Sequence, residues 1–396
     1  MRFDPWNPDF VASPYAAYEE LRRDAPVSFF EPTGQWLIAR HADVNALLRD
    51  RRLGRSYLHL ATHEEFGREP EPEFQEPFWR VVRAGMLDVE PPVHTRLRRL
   101  VSKAFTPRMV ESMRPRVRAI VDGLVDDFVE KGGGDLIAEV AEPLPVTVIA
   151  EMLGVPEGDR HLLRPWSADI CGMYELNPSP EAQHTAVKAA AEFSDYLKDL
   201  ARVRTADPGD DLVSALAQIE ELTEDELVGT CVLLLNAGHE ATVNVTGNGW
   251  WSLFRNPAEL ARLRDDLSLV PTAIEELMRY DTPLQMFERW VLEDIEVGGV
   301  AIPKGVEVAL LFGSANRDPE VFADPDRLDV GRVDNPHISF GAGIHFCLGA
   351  PLARIELVES FGALLKRAPK MELTSKPVWN PGYIIRGLRS VDVSCG

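Results

Sequence analysis

The sequence contains few cysteines, and their spacing is not that of a disulfide framework. Four occur in 396 residues, at positions 171, 231, 347 and 395, and no two of them form a CxxC pair. This spacing argues against the cross-linked core of a small secreted protein and against the paired ligands of a structural zinc site. Each cysteine is therefore expected to carry a free thiol unless something binds it.

Positive charge and long apolar runs are also scarce. The chain has 42 lysines and arginines against 63 acidic residues, a formal charge of -21, which opposes general binding to nucleic acid or to anionic membranes. It contains no apolar run long enough to span a bilayer, and its N-terminal segment lacks the pattern of a secretory signal. We therefore expect a cytoplasmic protein with neither a nucleic-acid nor a membrane partner.

The residues that are present indicate a large globular chain that is mainly helical. Apolar residues make up 45% and charged residues 27% of the sequence, the balance of a chain with a sizeable core. The spacing predicts a helix from Ser13 to just before Pro26, and then a hairpin of strands 27–30 and 36–39 around the turn EPTGQ. No shift in composition divides the chain, so a single domain over residues 1–396 is expected.

Two later stretches stand out. Residues 61–92 are rich in proline and glutamate and include Phe78 and Trp79, which indicates an ordered binding loop, with a solvated acidic connector as the alternative. Further on, Thr223 and Glu226 form a capping box that opens a helix ending at Pro257. At 1.5 Å per residue this helix would be ~50 Å long, so it must run through the body of the protein.

Three glycines surround one cysteine in the segment FGAGIHFCLG, residues 340–349. Glycines let the backbone approach a flat or bulky object more closely than residues with a Cβ atom would. Apolar residues at helical spacing follow, so Cys347 is expected at a helix N-terminus, where N–H groups and the helix dipole favour a thiolate. A soft anionic sulfur suits iron. The other three cysteines are expected to be small buried hydrophobes.

The longer segment FGAGIHFCLGAPLAR resembles the haem-binding signature of the cytochrome P450 family. The resemblance extends over essentially the whole chain. It implies a cytochrome P450 fold, mainly α, with a large helical body around the haem and small β-sheets. It further implies haem b as the cofactor, with Cys347 as the iron ligand and Phe340 and Gly349 in the loop that holds it.

The same resemblance assigns structural roles outside that loop. Glu276 and Arg279 reproduce the Glu-x-x-Arg pair of the family, and at i,i+3 they share one helix face. In the family this pair is buried and completed by an arginine of a later loop. Arg327 is the matching residue here.

Four cationic or imidazole side chains match the positions that bind the haem propionates in the family. They are His94, Arg98, Arg289 and His345, and charge-assisted hydrogen bonds to a carboxylate are the physical reason for such donors.

On another face of the helix that carries His94, a basic stripe of Arg96, Arg99 and Lys103 indicates a docking surface for an acidic electron donor. Plain solvation of these three side chains is the alternative. The chain resembles the soluble bacterial members of the family, which are served by a ferredoxin and a ferredoxin reductase.

The long helix departs from the family at NAGHEATVN. Aligned on Gly238 and Glu240, the position of the threonine that supports proton delivery during oxygen activation is Ala241. Thr242 lies about 100° further around the helix and cannot simply substitute. Three proton routes remain: a water chain from Glu240, a shifted register that uses Thr242, or a hydroxyl of the substrate.

The resemblance as a whole predicts a monooxygenase that inserts one atom of O2 into a lipophilic small molecule by hydroxylation or epoxidation. A peroxide-driven haem peroxygenase and a non-catalytic haem-binding sensor are the alternatives. The substrate pocket is expected to draw on five parts of the chain: the 61–92 loop, Ile170–Leu176, Leu235–Ala241, Leu284–Phe287 and Gly382–Ile385. The expected lining residues within these parts include Phe78, Trp79, Leu235, Leu284, Phe287 and Ile384.

Overall fold

The computed structural model describes residues 2–396, and helices dominate it. The fifteen α-helices of the described residues are, in chain order, α1 (Pro8–Ala12), α2 (Tyr15–Asp24), α3 (His41–Leu47), α4 (Glu76–Ala84), α5 (Val93–Ala104), α6 (Pro107–Glu130), α7 (Pro143–Leu153), α8 (Leu163–Cys171), α9 (Pro180–Ala206), α10 (Leu212–Ala217), α11 (Glu224–Arg255), α12 (Pro257–Asp265), α13 (Val270–Tyr280), α14 (Phe312–Ala315) and α15 (Ala350–Arg367). No helix among them is long and apolar enough to cross a membrane.

The strands are short. They are β1 (Val27–Phe30), β2 (Gln35–Ile38), β3 (Leu53–Gly54), β4 (Gly133–Asp135), β5 (Phe287–Val291), β6 (Ile295–Val297), β7 (Val300–Ile302), β8 (Glu307–Leu310), β9 (Glu372–Leu373), β10 (Val378–Trp379), β11 (Leu388–Ser390) and β12 (Asp392–Ser394). The largest sheet has the order β1-β2-β8-β5-β3, and the others have two or three strands. A mainly helical chain with small sheets is what the sequence predicts.

The described chain divides into two compact units. The first contains the chain up to Leu53, Pro115–Leu144 and Ala241–Gly396, and the second contains Gly54–Arg114 and Pro145–Glu240. The single domain expected over residues 1–396 stays a prediction.

The first unit is organised around the five-stranded sheet. The predicted hairpin forms, with β1 antiparallel to β2, and β2 then pairs in parallel with β8. Strand β5 runs antiparallel to β8, which sets Arg289 opposite Val308. Apolar side chains of β2, β5 and β8 pack in one core with the short helix α3. This core fixes the position of β5 and therefore of Arg289.

In the second unit, α9 packs against α4, α8 and α10. The ring of Trp166 on α8 stacks on Phe193 of α9, with centroids 5.0 Å apart. Small residues on α9, including Ala186 and Ala190, are fully buried and let the neighbouring helices approach closely. The position of α8 is therefore set by its packing on α9.

The capping box at the start of α11 is confirmed. The N–H of Thr223 donates to Oε2 of Glu226 at 3.0 Å, and the N–H of Glu226 donates to Oγ1 of Thr223 at 3.2 Å. These bonds satisfy N–H groups that the first helical turn leaves without an intrahelical partner. The helix runs from Glu224 to Arg255, close to the predicted bounds.

Two local predictions are wrong. Ser13 closes α1 rather than opening the next helix, since its N–H donates to the carbonyls of Asp9 and Phe10; α2 begins at Tyr15, after Pro14. Within residues 61–92, the expected loop contains a short helix, α4. Pairs at i,i+4 support this helix: Arg80 donates to Glu76 at 2.7 Å, and the indole of Trp79 donates to Gln75 at 2.9 Å.

The predicted Glu-x-x-Arg pair is buried, but its third member is not the one expected. Nε of Arg279 donates to Glu276 at 2.7 Å, and both side chains are 0% exposed. Arg327 does not reach Glu276, because its side chain is 59% exposed and faces Asp329. Arg332 takes the position instead and donates through Nε to Glu276 at 3.1 Å, with its side chain 9% exposed. A buried carboxylate needs such partners to offset its desolvation.

The carboxylate next to this pair connects α13 to α15. Glu275 accepts from Arg354 at 2.6 Å and 2.8 Å and contacts Nε2 of His337 at 3.0 Å. Burial would raise the pKa of Glu275, but the hydrogen bonds from Arg354 and His337 outweigh it and lower the pKa from 4.5 to about 2. Residues 340–349, which contain Cys347, therefore lie between chain segments anchored to Glu275 and Glu276.

We expect Arg332→Met to destabilise the protein much more than Arg327→Met. The first change removes a donor from a buried carboxylate, which should lower the free energy of unfolding by about 2 kcal/mol, while the second alters an exposed contact and should cost less than about 0.5 kcal/mol. Guanidinium-induced unfolding of the two variants measures the difference. Equal effects would contradict the assignment of Arg332 as the third member.

We expect Glu275→Gln to destabilise the protein in a pH-dependent manner. A carboxyl group with a lowered folded-state pKa stabilises the fold fully above its unfolded pKa, near 4.5, and loses this contribution as the pH falls toward 2. The difference between wild type and variant should be about 2 kcal/mol at pH 7 and shrink below pH 4.5. Glu111→Gln, at an exposed carboxylate paired with Arg114, is the control and should show no comparable trend. A difference that stays constant from pH 7 to pH 3 would contradict the expectation.

Candidate functional site

The loop that carries Cys347 is held in a tight conformation by glycines. Gly341 and Gly343 have φ values of +69° and +70°, which residues with a Cβ atom rarely adopt. A Cβ atom on Gly343 would also lie 2.3 Å from the carbonyl oxygen of Leu48. The N–H of Cys347 donates to the carbonyl of Phe340 at 3.0 Å, which closes the loop. Neither glycine can therefore be replaced without moving the cysteine.

Cys347 differs from the other three cysteines in its exposure. It is half-buried, whereas Cys171, Cys231 and Cys395 are buried, as expected for small hydrophobes. A Cβ atom on Gly349 would lie 3.9 Å from its sulfur, so the side chain rests against the backbone just before α15. The sulfur thus has one accessible side and lies near a helix N-terminus, the environment that favours a thiolate.

Two of the predicted propionate-binding residues belong to the same unit as Cys347. Arg289 is 4% exposed on β5; its Nη1 donates to the carbonyl of Glu288 at 2.8 Å, and its guanidinium lies over the ring of Phe287 at 4.7 Å. His345 is half-buried in the 3₁₀ turn Gly343–His345, two residues before the cysteine. A buried guanidinium is a strong donor for a carboxylate.

The other two predicted donors lie on α5. His94 is 3% exposed and Arg98, one turn later, is half-buried. The pKa of His94 is lowered, first by burial and then by the positive charge of Arg98, so its imidazole is neutral at pH 7. His94 can therefore hydrogen-bond a carboxylate but contributes no charge, which Arg98 supplies.

The basic stripe on α5 is smaller than the sequence suggests. Arg96 is engaged by its own unit: Nη1 donates to the carbonyl of Glu221 at 2.9 Å, and the guanidinium pairs with Glu226. Arg99 and Lys103 are exposed. Any electrostatic attraction from this helix therefore comes mainly from Arg99 and Lys103.

The motif residues on α11 up to Glu240 face different surroundings. A Cβ atom on Gly238 would lie 2.4 Å from Cδ1 of Ile149, so a larger residue would require this side chain to move. His239 is 2% exposed and contacts Oγ of Ser167 at 3.1 Å; burial, and then the charge of Arg164, lowers its pKa to about 4. Glu240 remains partly accessible, with 24% of its side chain exposed. His239 is therefore neutral at pH 7.

Position 241, where the family has a threonine, is an alanine, and the side chain of the neighbouring Thr242 does not replace the missing hydroxyl. Ala241 is half-buried, and Thr242 is 5% exposed. The carbonyl of Thr242 accepts a hydrogen bond from Oγ1 of Thr246 at 3.0 Å, a contact on the helix backbone.

The predicted pocket residues are divided between the two units. In the second unit, the rings of Phe78 and Trp79 are 5.1 Å apart, and Leu235 is fully buried on α11. In the first unit, Leu284 bridges Ile385, which brings it beside Ile384. Phe287 is half-buried on β5, with its ring 6.2 Å from that of Phe312.

Sequence reasoning missed two residues near the cysteine loop. Arg332 and Glu275, which anchor the chain on both sides of this loop, carry no periodic signal. Two further polar residues lie within the expected pocket segments but were not singled out: Asn236 is on the apolar stretch of α11, and Tyr174 ends the 3₁₀ turn Gly172–Tyr174 after α8. The asparagine was a visible signal, because a polar residue on a buried helical stretch needs an explanation.

The donor set fits a haem with a thiolate ligand. Such a group takes one sulfur ligand from the protein. The half-buried Cys347 can supply it, and the neighbouring glycines leave room for a bulky group. Within residues 2–396 no group of three His, Cys, Asp or Glu residues could hold a bare metal ion. In the unit that contains Cys347, the buried guanidinium of Arg289 suits a propionate. The roles of these individual residues stay predictions.

Comparison with known proteins identifies the family. Residues 174–368 match the family model described as Cytochrome P450. The chain is 40% identical to the cytochrome P450 monooxygenase PikC of Streptomyces venezuelae, covering 97% of this chain and 92% of PikC. It is 39% identical to the 6-deoxyerythronolide B hydroxylase of Saccharopolyspora erythraea, covering 96% and 95%.

A solved structure agrees with the sequence relatives. The myxobacterial cytochrome P450 CYP267B1 in complex with myristic acid superposes with a TM-score of 0.90 at 39% identity, over 99% of this chain and 98% of that one. The predicted fold, the haem b cofactor and the monooxygenase class are thereby confirmed, and the chain belongs to the cytochrome P450 family.

Proposed function

We propose that this monooxygenase inserts one oxygen atom of O2 into a lipophilic small molecule, by hydroxylation of a C–H bond or epoxidation of a double bond. The second oxygen atom leaves as water, which requires two electrons and two protons. The electrons come from a ferredoxin, which a ferredoxin reductase reduces. The cytoplasmic location expected from the sequence stays a prediction.

One observation carries the proposal: the half-buried sulfur of Cys347 in a loop that Gly341 and Gly343 hold in left-handed backbone conformations. When haem b is bound, its thiolate-ligated iron supplies the oxidising power. The chain supplies the ligand, the donors for the propionates and a pocket from which water is excluded.

The propionate-binding role belongs to four side chains with different contributions. Arg98 and Arg289 provide positive charge, and the lowered pKa of His94 leaves that imidazole as a neutral hydrogen-bond partner. His345 lies within the cysteine loop itself. Phe340 and Gly349 hold the two ends of that loop, one through its carbonyl and one through its lack of a side chain.

The lipophilic substrate class is supported by the apolar lining and by the relatives. Phe78, Trp79 and Leu235 in one unit, and Leu284, Phe287 and Ile384 in the other, are apolar or aromatic. The relatives include a hydroxylase of 6-deoxyerythronolide B and a structure with myristic acid bound. A lipophilic ligand suits such a lining.

For the electron donor, the exposed Arg99 and Lys103 on α5 are the basic groups proposed to meet an acidic ferredoxin. They stand out on a chain with a formal charge of -21, which would otherwise repel such a partner. Steering of this kind depends on ionic strength, since salt screens charges on the surface.

The proton supply is proposed to involve ordered water or the substrate, because position 241 has no hydroxyl. Glu240 is the accessible acid of the motif, and Gly238 keeps α11 close to Ile149. The side chain of Thr242 lies about 100° further around the helix axis than that of Ala241. A hydroxyl of the substrate, or water bound beside Glu240, would take the place of the missing threonine.

We expect the haem-loaded wild type to turn over a lipophilic substrate steadily with a ferredoxin, its reductase and reduced nicotinamide. Its reduced carbon monoxide complex should show the red-shifted absorption of thiolate ligation. In Cys347→Ser both properties should be lost, because a hydroxyl is a much weaker electron donor than a thiolate. Cys171→Ser, at a buried cysteine, is the matched control and should keep the absorption band.

Absorption that survives in Cys347→Ser would contradict the assignment of the iron ligand. Turnover with hydrogen peroxide but not with any ferredoxin system would favour the peroxygenase alternative. Haem binding without product from any compound would favour the sensor.

We expect Ala241→Thr to raise the amount of product formed per reduced nicotinamide consumed when the substrate lacks a hydroxyl group. The new hydroxyl would support proton delivery that otherwise fails in part and releases reduced oxygen species. With a hydroxylated substrate the ratio should change less. A ratio that is unchanged for every substrate tried would contradict this proton route.

A further inference from the structure

The carboxamide of Asn236 is buried on α11 and has no partner within the described residues at hydrogen-bond geometry. The residue is 4% exposed, and both its Oδ1 and its Nδ2 are buried without a hydrogen bond. Its neighbours along the helix include the buried, apolar Leu235. A leucine would fill the same space without leaving polar atoms unsatisfied, so packing alone does not explain the amide.

The hydroxyl of Tyr174 is a polar group that interacts with the side chain of Asn236. Burial raises the pKa of Tyr174; among smaller contributions the charges of Cys171 and Asp88 raise this pKa, and the side chain of Asn236, acting as a hydrogen-bond partner of the phenol, lowers it. The two side chains therefore lie within electrostatic reach of each other. The ring of Phe78 is 6.0 Å from that of Tyr174, and Ala237, directly after the asparagine, is exposed. An amide and a phenol thus lie near an aromatic ring and one turn or less from an exposed position of α11.

The surroundings of this pair disfavour an anion. Glu240, one turn after Asn236, raises the pKa of the Cys171 thiol, where burial is the larger cause. The charge of Asp88 acts on Tyr174 in the same sense, and Arg55, which partly offsets it, is bound to Asp88 at 2.8 Å. A carboxylate beside these acids would be repelled, whereas an uncharged oxygen would not.

We propose that Asn236, together with the hydroxyl of Tyr174, hydrogen-bonds an uncharged oxygen of the substrate, a ketone or an alcohol, and so determines which lipophilic compounds are oxidised. Nδ2 donates to a ketone oxygen, and Oδ1 accepts from an alcohol. The pair makes the site select such compounds over hydrocarbons and carboxylates. The inference rests on the proposed function, since it names the substrate class of that reaction.

The test compares ligands that differ mainly in their oxygen groups. Haem-loaded wild type, Asn236→Leu and Tyr174→Phe are titrated with tetradecane, 1-tetradecanol and myristic acid, and with 5α-androstane and testosterone, and dissociation constants are read from the shift of the haem absorption. Thr230→Val is the matched control, because its Oγ1 is also buried without a hydrogen bond on the same helix, about 120° away from Asn236.

For wild type we expect 1-tetradecanol to bind more tightly than myristic acid, and testosterone more tightly than 5α-androstane. The ratio within each pair should fall about tenfold in Asn236→Leu, the equivalent of one good hydrogen bond, and by a smaller factor in Tyr174→Phe. Thr230→Val should keep the wild-type ratios. Asn236→Leu should also raise the thermal midpoint of the ligand-free enzyme, because it removes an unsatisfied amide, which a purely structural role for the asparagine would not permit.

Ratios that are equal in wild type and Asn236→Leu overturn the proposal, and so does a wild type that prefers no oxygenated compound, including one that binds none of the five. Equal weakening of 1-tetradecanol and myristic acid by Asn236→Leu overturns the selection against carboxylates. A wild type that keeps the thiolate absorption and ferredoxin-driven turnover while failing these comparisons would refute this inference and leave the proposed function intact.

Discussion

Two adjacent carboxylates on α13 hold the segment from which Cys347 projects. Glu276 accepts hydrogen bonds from Arg279, Arg332 and the N–H of Asp329, all upstream of the cysteine loop or on the helix itself. Glu275 binds Arg354, which lies on α15 after the cysteine. The loop is therefore fixed at both ends to one rigid helix, and a charged group without these partners would be too costly to bury.

This arrangement explains why the loop itself can be poor in side-chain contacts. Its glycines adopt backbone angles that cost other residues energy, and Gly343 approaches the backbone of Leu48 too closely for a Cβ atom. Ion pairs anchor the two ends of the loop. The hydrogen bonds inside the loop, such as that from the N–H of Cys347 to the carbonyl of Phe340, therefore serve to orient the cysteine side chain. The ion pairs of Glu275 and Glu276 and the glycines of the loop thus together fix the geometry that a metal ligand needs.

The parts of this arrangement that follow local rules could be predicted from the sequence. The capping box of α11 depends on residues three apart, and the cysteine loop on a compact pattern of rare residues. The choice between Arg327 and Arg332 could not be predicted in the same way, because both lie in a turn-rich segment without periodicity and only the folded path of the chain brings one of them to Glu276. Helix α4 was missed because its proline and glutamates resemble loop composition, although Glu76 and Arg80 were already at helical spacing.

The polar groups of α11 divide into those that the chain satisfies and those that it does not. His239 contacts Ser167, and Thr246 bonds the helix backbone, so neither is available to a ligand without losing a partner. Asn236 has its hydrogen-bonding capacity to spare, while position 241, five residues later, has no side-chain oxygen at all. Asn236 is thus a buried amide whose retention on an apolar stretch the proposed contact with a substrate oxygen would explain.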